Sequence, residues 1–196
     1  MFLKKIFNIT FLFFYIYVFS SFSIKSAEAE QIQKVSNYFK NLNEFSSTFV
    51  QIQNNEVSEG LIFIKNDRLR IEYTSPSKIV FVLKHNKAMY FNKDLEEVEY
   101  FNPKNTIGKF IVDLFNDESF LLNSRITKKE GHIYIQKNIL IEEENYQAKI
   151  YFEEAPFRLR KLEIINNSEI ITFTLLNPNF NPNLNNKIFS LANPLL

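Results

Sequence analysis

The sequence predicts a mainly β protein with some α, built on one large antiparallel sheet with few helices to cover it. Three observations carry that prediction. Apolar residues recur at a spacing of two through most of the chain, only two segments show helical spacing, and the connectors hold Asn, Pro and other turn formers. About ten strands result, and open twisted sheets of that size curl or split into two packed layers. A curled sheet with helices over its mouth leaves a concave aromatic interior. A two-layer sandwich spends every aromatic on core. Composition alone leaves the two architectures equal.

The chain opens on a stretch that reads as a secretory leader. Lys4 and Lys5 supply the positive end, Ile6 to Phe22 the apolar run, and Ala27-Glu28-Ala29 a small-x-small cleavage site, so cleavage is expected near Ala29. The apolar run of 17 residues is interrupted by Asn8, Thr10, Ser20 and Ser21 and sits at the lower edge of what spans a bilayer, which disfavours an uncleaved anchor. Residues 1–29 are thus expected to be a signal peptide and residues 30–196 one domain. That domain keeps 15 of the 22 Phe and 7 of the 9 Tyr. An exported protein with so much aromatic surface must fold it inward or use it to hold something greasy.

Glu30 to Asn43 has Ile32, Val35, Tyr38, Phe39 and Leu42 at helical spacing, with Gln31, Lys34, Asn37 and Lys40 facing away. From Phe45 the period changes. Leu69 to Tyr73, Ala148 to Phe152 and Ile171 to Leu175 alternate as half-buried strands. Further strands are expected at 45–53, 60–65, 79–83, 88–91, 97–101, 126–129, 132–137 and 157–165. In the last of these the apolar phase slips between Leu159 and Leu162, which predicts a bulge near Arg160-Lys161. Asn66-Asp67, Ser75-Pro76, Glu130-Gly131 and Asn166-Asn167 mark turns. Thr106 is placed to cap a second helix carrying Ile107, Phe110, Ile111, Leu114 and Phe115 on one face. Beyond Leu176 the Asn- and Pro-rich run reads as an irregular tail ending in an apolar hook at Ile188-Phe189-Ser190-Leu191.

Several chemistries find no support. Removing Lys4, Lys5, Lys25 and Glu28 takes the formal net charge from +1 to −1, with the basic residues scattered, which argues against nucleic acid. With no cysteine there is no disulfide, thiolate site, thiol nucleophile or acylated N-terminal cysteine. Three glycines make no phosphate cradle. His85 and His132 lie far apart and are expected on surface strands, without metal-ligand spacing. The acidic runs Glu96-Glu97, Glu142-Glu143-Glu144 and Glu153-Glu154 read as solvated turns or edges. A two-carboxylate hydrolase is the alternative they leave open. No enzyme, cofactor or metal is expected.

The order of residues resembles a known group. Phe45-x-x-x-Phe49-x-Gln51 follows the first helix, then Ser58-Glu59-Gly60-Leu61-Ile62-Phe63-Ile64-Lys65, then Leu69-Arg70-Ile71-Glu72-Tyr73-Thr74-Ser75-Pro76 leading into Ile79-Val80-Phe81-Val82. With the patch from Thr106 to Leu114 and the closing Asn186-Lys187-Ile188-Phe189-Ser190-Leu191, it is similar to the periplasmic outer-membrane lipoprotein carriers, the LolA-like proteins. The resemblance implies the curled option: an unclosed β-barrel with a helical lid over an apolar cavity. It implies a soluble periplasmic chaperone that takes lipoproteins by their acyl chains from the inner to the outer membrane. The implied partners are acylated lipoproteins, an inner-membrane ABC-type lipoprotein release complex and an outer-membrane lipoprotein acceptor, with the carrier itself expected to be a monomer.

Carried over by position, Leu69, Ile71 and Tyr73 match cavity-lining strand residues, and Phe110, Ile111 and Leu114 match the lid helix. Alternation adds Phe49, Phe63, Phe81 and Tyr90 to the cavity. Family members usually have Arg-Pro in the turn after the Gly60 strand, where the arginine helps to hold the lid. Here the turn reads Lys65-Asn66-Asp67-Arg68, one residue shorter and without proline, and Lys65 and Arg68 are the candidate lid latches. Without the family pattern, the same physical features fit a periplasmic carrier of a glycolipid, fatty acid or polyprenoid.

Overall fold

The computed structural model describes residues 29–141, 143–166 and 169–196. The expected leader lies outside them but for its last residue, as do Glu142 of one acidic run and Asn167 of the last expected turn. The described chain begins in helix α1, residues 29–40. Six strands follow: β1 (Glu44–Gln53), β2 (Glu56–Lys65), β3 (Arg68–Ser75), β4 (Ile79–Lys84), β5 (Lys87–Asn92) and β6 (Glu97–Phe101). Helix α2 (Ile107–Asn116) and a 3-10 turn (Glu118–Leu121) lead to β7 (Arg125–Lys129), β8 (His132–Ile141), β9 (Glu144–Glu154), β10 (Phe157–Ile165) and β11 (Ile170–Phe180). A second 3-10 turn (Asn186–Phe189) lies near the end.

All eleven described strands form one antiparallel sheet in the order β6-β5-β4-β3-β2-β1-β11-β10-β9-β8-β7. It consists of two meanders, β1–β6 and β7–β11, joined where β1 pairs with β11 from Phe45↔Phe180 to Gln53↔Ile171. β6 and β7 are the outermost strands and do not pair with each other, so the sheet is not closed. Tight turns connect neighbours. Asn54 and Asn55 both have positive φ, as do Glu130 and Gly131, the left-handed backbone that lets a two-residue hairpin follow the strand twist.

Register shifts occur at Ser46/Thr48, at Glu59/Gly60 and, where the phase slip predicts it, at Leu159/Lys161. Each adds local twist and bends its strand. They give the sheet a concave face that carries the core. Phe45, Phe49, Ile64 and Leu69 from one meander and Ile135, Ile150, Phe152 and Leu159 from the other are buried there. Both helices pack on that face. Val35 and Phe39 come from α1, and Phe110, Ile111, Leu114 and Phe115 from α2. Each such side chain contributes ~1.5–3 kcal/mol by leaving water. Thr106 caps α2 as expected, its hydroxyl accepting from the Lys109 N–H at 3.2 Å.

An aromatic cluster fixes α1. Tyr38 meets Phe152 and Phe157 edge-on with ring centroids at 5.2 and 5.5 Å, and Phe39 meets Phe115 of α2 at 5.1 Å. The Leu159 N–H donates to the Tyr38 hydroxyl at 3.3 Å. Burial pushes that hydroxyl's pKa up to about 12.

The end of the chain departs from the expected irregular tail. β11 runs on through Asn177, Pro178 and Asn179 to Phe180, still paired with β1. Proline is tolerated because β10 accompanies β11 only as far as Thr174, so the segment beyond it has one unpaired side. Asn177 takes up the register shift with positive φ, and the Ser47 and Thr48 hydroxyls donate to the Leu176 carbonyl at 2.5 and 2.9 Å. The terminal hook then crosses the outer face of the sheet. There Phe189, 1% exposed, packs with Val80, Val82 and Met89. His85, expected on a strand, sits instead in the β4–β5 turn with positive φ, exposed and paired with Asp67.

Candidate functional site

The concave face is not filled completely. Between the N-terminal end of α2 and the strands lies a hollow of about 660 Å³, within the range of about 300–1,000 Å³ typical of small-ligand pockets. One wall comes from the first meander: Ile71, Tyr73, Ile79, Phe81, Tyr90 and Phe101. The opposite wall comes from the second: Ile141, Tyr146, Ile171 and Phe173. Ile107 and Gly108 roof it. Inward-pointing residues two apart on each strand produce these walls, since alternate side chains share a face.

Between the two apolar walls runs a polar strip. Gln51 and Gln53 of β1 and Glu56 and Ser58 of β2 line the hollow where apolar residues would continue the core. Cross-strand register places them as neighbours, Gln51 opposite Ser58 and Gln53 opposite Glu56. The Tyr73 hydroxyl donates to Gln51 Oε1 at 2.6 Å. Gln51 Nε2 donates to Gln53 Oε1 at 3.0 Å, and Gln53 Nε2 to Glu169 Oε1 at 2.7 Å. Burial raises the Tyr73 pKa to about 12, which keeps that phenol neutral.

Of the residues proposed from sequence, Ile71, Tyr73, Phe81 and Tyr90 line the hollow. Leu69 and Phe49 lie on the same face but below its surface. Leu69 is fully buried beside Gly108. Phe49 packs edge-on to Tyr73 and against Phe173 at centroid distances of 5.3 and 5.9 Å. Phe63 is corrected. It shares the outer face with the cluster around Phe189, because Ile62 and Ile64, one residue to either side, take the inward positions on β2.

Phe110, Ile111 and Leu114 are buried on the sheet side of α2, but the hollow meets only the start of that helix. Leu114 instead lines a smaller space of about 190 Å³ between α1, α2 and the β2–β3 turn. Gly108 lets α2 come close. A Cβ there would lie 2.7 Å from the Phe81 ring.

Lys65 and Arg68 are likewise corrected. They fasten the C-terminal segment to the outer face rather than holding α2. Lys65 Nζ donates to the Leu184 carbonyl at 2.7 Å and pairs with Glu44 at 2.7 Å. Arg68 donates to Asn186 Oδ1 at 3.0 Å, and the neighbouring Arg70 to the Ile188 carbonyl at 2.9 Å. The second wall was missed from sequence. Ile141 continues the inward phase of Ile133 and Ile135, and Tyr146 that of Ala148 and Ile150, so extending those alternations would have found both.

Among the described residues no group of three or more His, Asp or Glu side chains is placed to hold a metal ion. Nor is any described helix long and apolar enough to cross a membrane. No curated protein matches the sequence. Solved structures with a TM-score of 0.50 or above show the fold. One is an uncharacterized conserved protein from Thermus thermophilus, similar with a TM-score of 0.54 at 9% identity over 82% of this chain and 91% of that one. Another is a DUF1329 family protein from Desulfovibrio piger, with a TM-score of 0.50 at 7% identity over 84% and 98%. A putative outer membrane lipoprotein-sorting protein domain from Vibrio parahaemolyticus gives 0.47 at 10% identity over 82% and 95%. Residues 40–192 match the family described as outer membrane lipoprotein carrier protein LolA, a family of carriers. By that match across most of its length, the chain belongs to the LolA family.

Proposed function

We propose that this protein is a soluble periplasmic carrier that takes lipoproteins by their acyl chains from the inner to the outer membrane. The observation that carries the reading is the apolar hollow under the start of α2, in a chain of the LolA family. A lipoprotein does not cross water unaided. Burying an acyl chain is worth ~0.8 kcal/mol per CH₂, so a chain of about 16 carbons represents roughly 12 kcal/mol. A shuttle therefore needs a dry surface of comparable apolarity, and one it can give up again. Helices packed over an unclosed sheet offer that, because packing of α2 onto the strands in the empty state competes with cargo. An inner-membrane ABC-type release complex loads the carrier and an outer-membrane acceptor unloads it. The leader sends the chain to the periplasm and is removed near Ala29. Ile71, Tyr73, Phe81 and Tyr90 touch the acyl chain, with Leu69 and Phe49 supporting them from below.

The test places a charge at the rim of the hollow. Leu69 is unsuitable, being fully buried, and a carboxylate there would unfold the sheet. Ile79 lines the hollow and is half-buried, so Ile79→Glu leaves the core intact. Wild-type protein added to spheroplasts is expected to bring acylated lipoproteins into the soluble fraction, and Ile79→Glu to do so at least about tenfold less well, each lost 1.4 kcal/mol being tenfold. Equal release by a folded Ile79→Glu protein would overturn the reading. Mass spectrometry of the native protein should find an acylated polypeptide. A glycolipid, free fatty acid or polyprenoid in its place would identify a different cargo.

A further inference from the structure

The polar strip is unexplained by a need for greasy surface. Strand β1 presents Phe45 and Phe49 inward and then, two residues apart, Gln51 and Gln53. Their neighbours across the ladder are Ser58 and Glu56 on one side and Phe173 and Ile171 on the other. A core built for hydrocarbon alone would continue Phe-like residues here, because a polar group in an apolar surface is costly unless it finds a partner. The strip is also held in place. Tyr73, Gln51, Gln53 and Glu169 form a chain of hydrogen bonds that fixes both amides.

That chain does not exhaust the donors. A primary amide carries two N–H groups, and each glutamine donates one of them within the chain. The Ser58 hydroxyl, half-buried in the same strip, has no hydrogen-bond partner among the described residues. Free amide N–H groups beside a hydroxyl, with apolar walls on either side, suit a ligand whose hydrocarbon arms meet at a carbonyl-bearing linkage.

Resting on the carrier reading above, we propose that Gln51, Gln53 and Ser58 form a subsite for the amide or ester linkage of acylated cargo. The strip would set how the ligand lies, with its chains against the Ile79–Phe81 wall and the Ile171–Phe173 wall. Hydrocarbon contact supplies affinity and the strip supplies selection. An amphiphile carrying a carbonyl at the chain head is preferred over one that lacks it.

The experiment measures displacement of 1-aminoanthracene from the purified protein by two probes of equal chain length, N-hexadecanoylglycinamide and a hexadecyl ether without a carbonyl. Wild type is expected to prefer the amide by about three- to tenfold, the contribution of one or two hydrogen bonds. Gln51→Leu and, separately, Ser58→Ala should bring that ratio down towards one. Ser58→Ala removes only a hydroxyl without a protein partner, so it reports even if Gln51→Leu disturbs Tyr73. A wild-type ratio of one, or a ratio unmoved by both substitutions, overturns the subsite while leaving the carrier reading standing. Failure of wild type to bind either probe overturns the carrier reading itself.

Discussion

Removing the Phe189 ring should loosen the whole first meander, although the residue lies near the end of the chain and on the face away from the hollow. Phe189 is 1% exposed, enclosed by Val80, Val82 and Met89, with Phe63, Phe91 and Ile188 around it. Phe→Ala at such a site costs ~3–5 kcal/mol through lost transfer energy and the cavity left behind. A protein of this size loses ~2–4 °C of Tm per kcal/mol, so Phe189→Ala should lower Tm by ~6–20 °C.

The segment can also peel away instead of leaving a void. It would then forfeit the bonds from Lys65 to Leu184, Arg68 to Asn186 and Arg70 to Ile188, each worth ~1.5–3 kcal/mol where the donor is charged. The two outcomes separate in a double-mutant cycle by calorimetry. If the segment peels, Arg70→Ala adds much less to Phe189→Ala than it costs alone. A Tm drop under ~3 °C for Phe189→Ala would refute the account of the hook as a structural clasp, since it would place the loss well below ~3 kcal/mol.

Gly60→Ala and Gly108→Ala should differ in cost. At Gly60 a Cβ would stand 2.2 Å from the Glu72 carbonyl oxygen, a backbone atom in the next strand, and overpacking of ~3 kcal/mol is expected from equilibrium unfolding. At Gly108 it meets the Phe81 ring, which borders the hollow and can swing into it, while the helix gains ~1 kcal/mol from Ala. Gly108→Ala should therefore be near neutral in stability but weaken acyl-chain binding, and equal destabilisation by the two would sink this ranking. Glu44 is held below the usual carboxylate pKa by the hydrogen bond from Lys65 and the Leu184 N–H, so its stabilisation is present above the unfolded value of about 4.5 and lost as pH falls through the folded one. Tm against pH should show this acid loss, which Asp117, Glu153 and Glu154 share in the same direction, and Glu44→Gln should reduce it. Tyr73, buried and raised to about 12, stabilises the fold below the ordinary phenol value of 10.0 and loses that contribution as pH rises towards 12. An ultraviolet titration should show one late-ionising phenol fewer in Tyr73→Phe than in wild type, since Tyr38 and Tyr151 are also raised by burial.

Much of the fold could be read from spacing. Alternation located a part of every strand, and the slip between Leu159 and Leu162 located a bulge, because one buried face imposes a period of two and punishes its interruption. Thr106 announced its helix for a similarly local reason. What spacing could not supply was which face of a strand looks where. Phe63 is as apolar as Ile62 beside it, yet the two sit on opposite faces, because the terminal hook makes the outer side of the first meander apolar as well. The roles of Lys65 and Arg68 were hidden for the same reason, since their partners lie about 120 residues further on, Leu184 being 119 from Lys65. The polar strip was visible in the letters Gln51, Gln53 and Ser58, but only pairing of β1 with β2 makes those letters one surface.

The join between the meanders carries a consequence of its own. Ser47 and Leu176, 129 residues apart, meet there, while every other pairing in the sheet joins strands that follow one another in sequence. Local hairpins zip quickly, and a closure over so long a stretch is the slow, entropically taxed event. The two apolar walls belong to different meanders, so neither half owns a pocket before that closure. A chain still emerging, or cut short before its last strand, presents only an open half-shell. Grip on a greasy ligand would then arise late and all at once, as a property of the finished molecule.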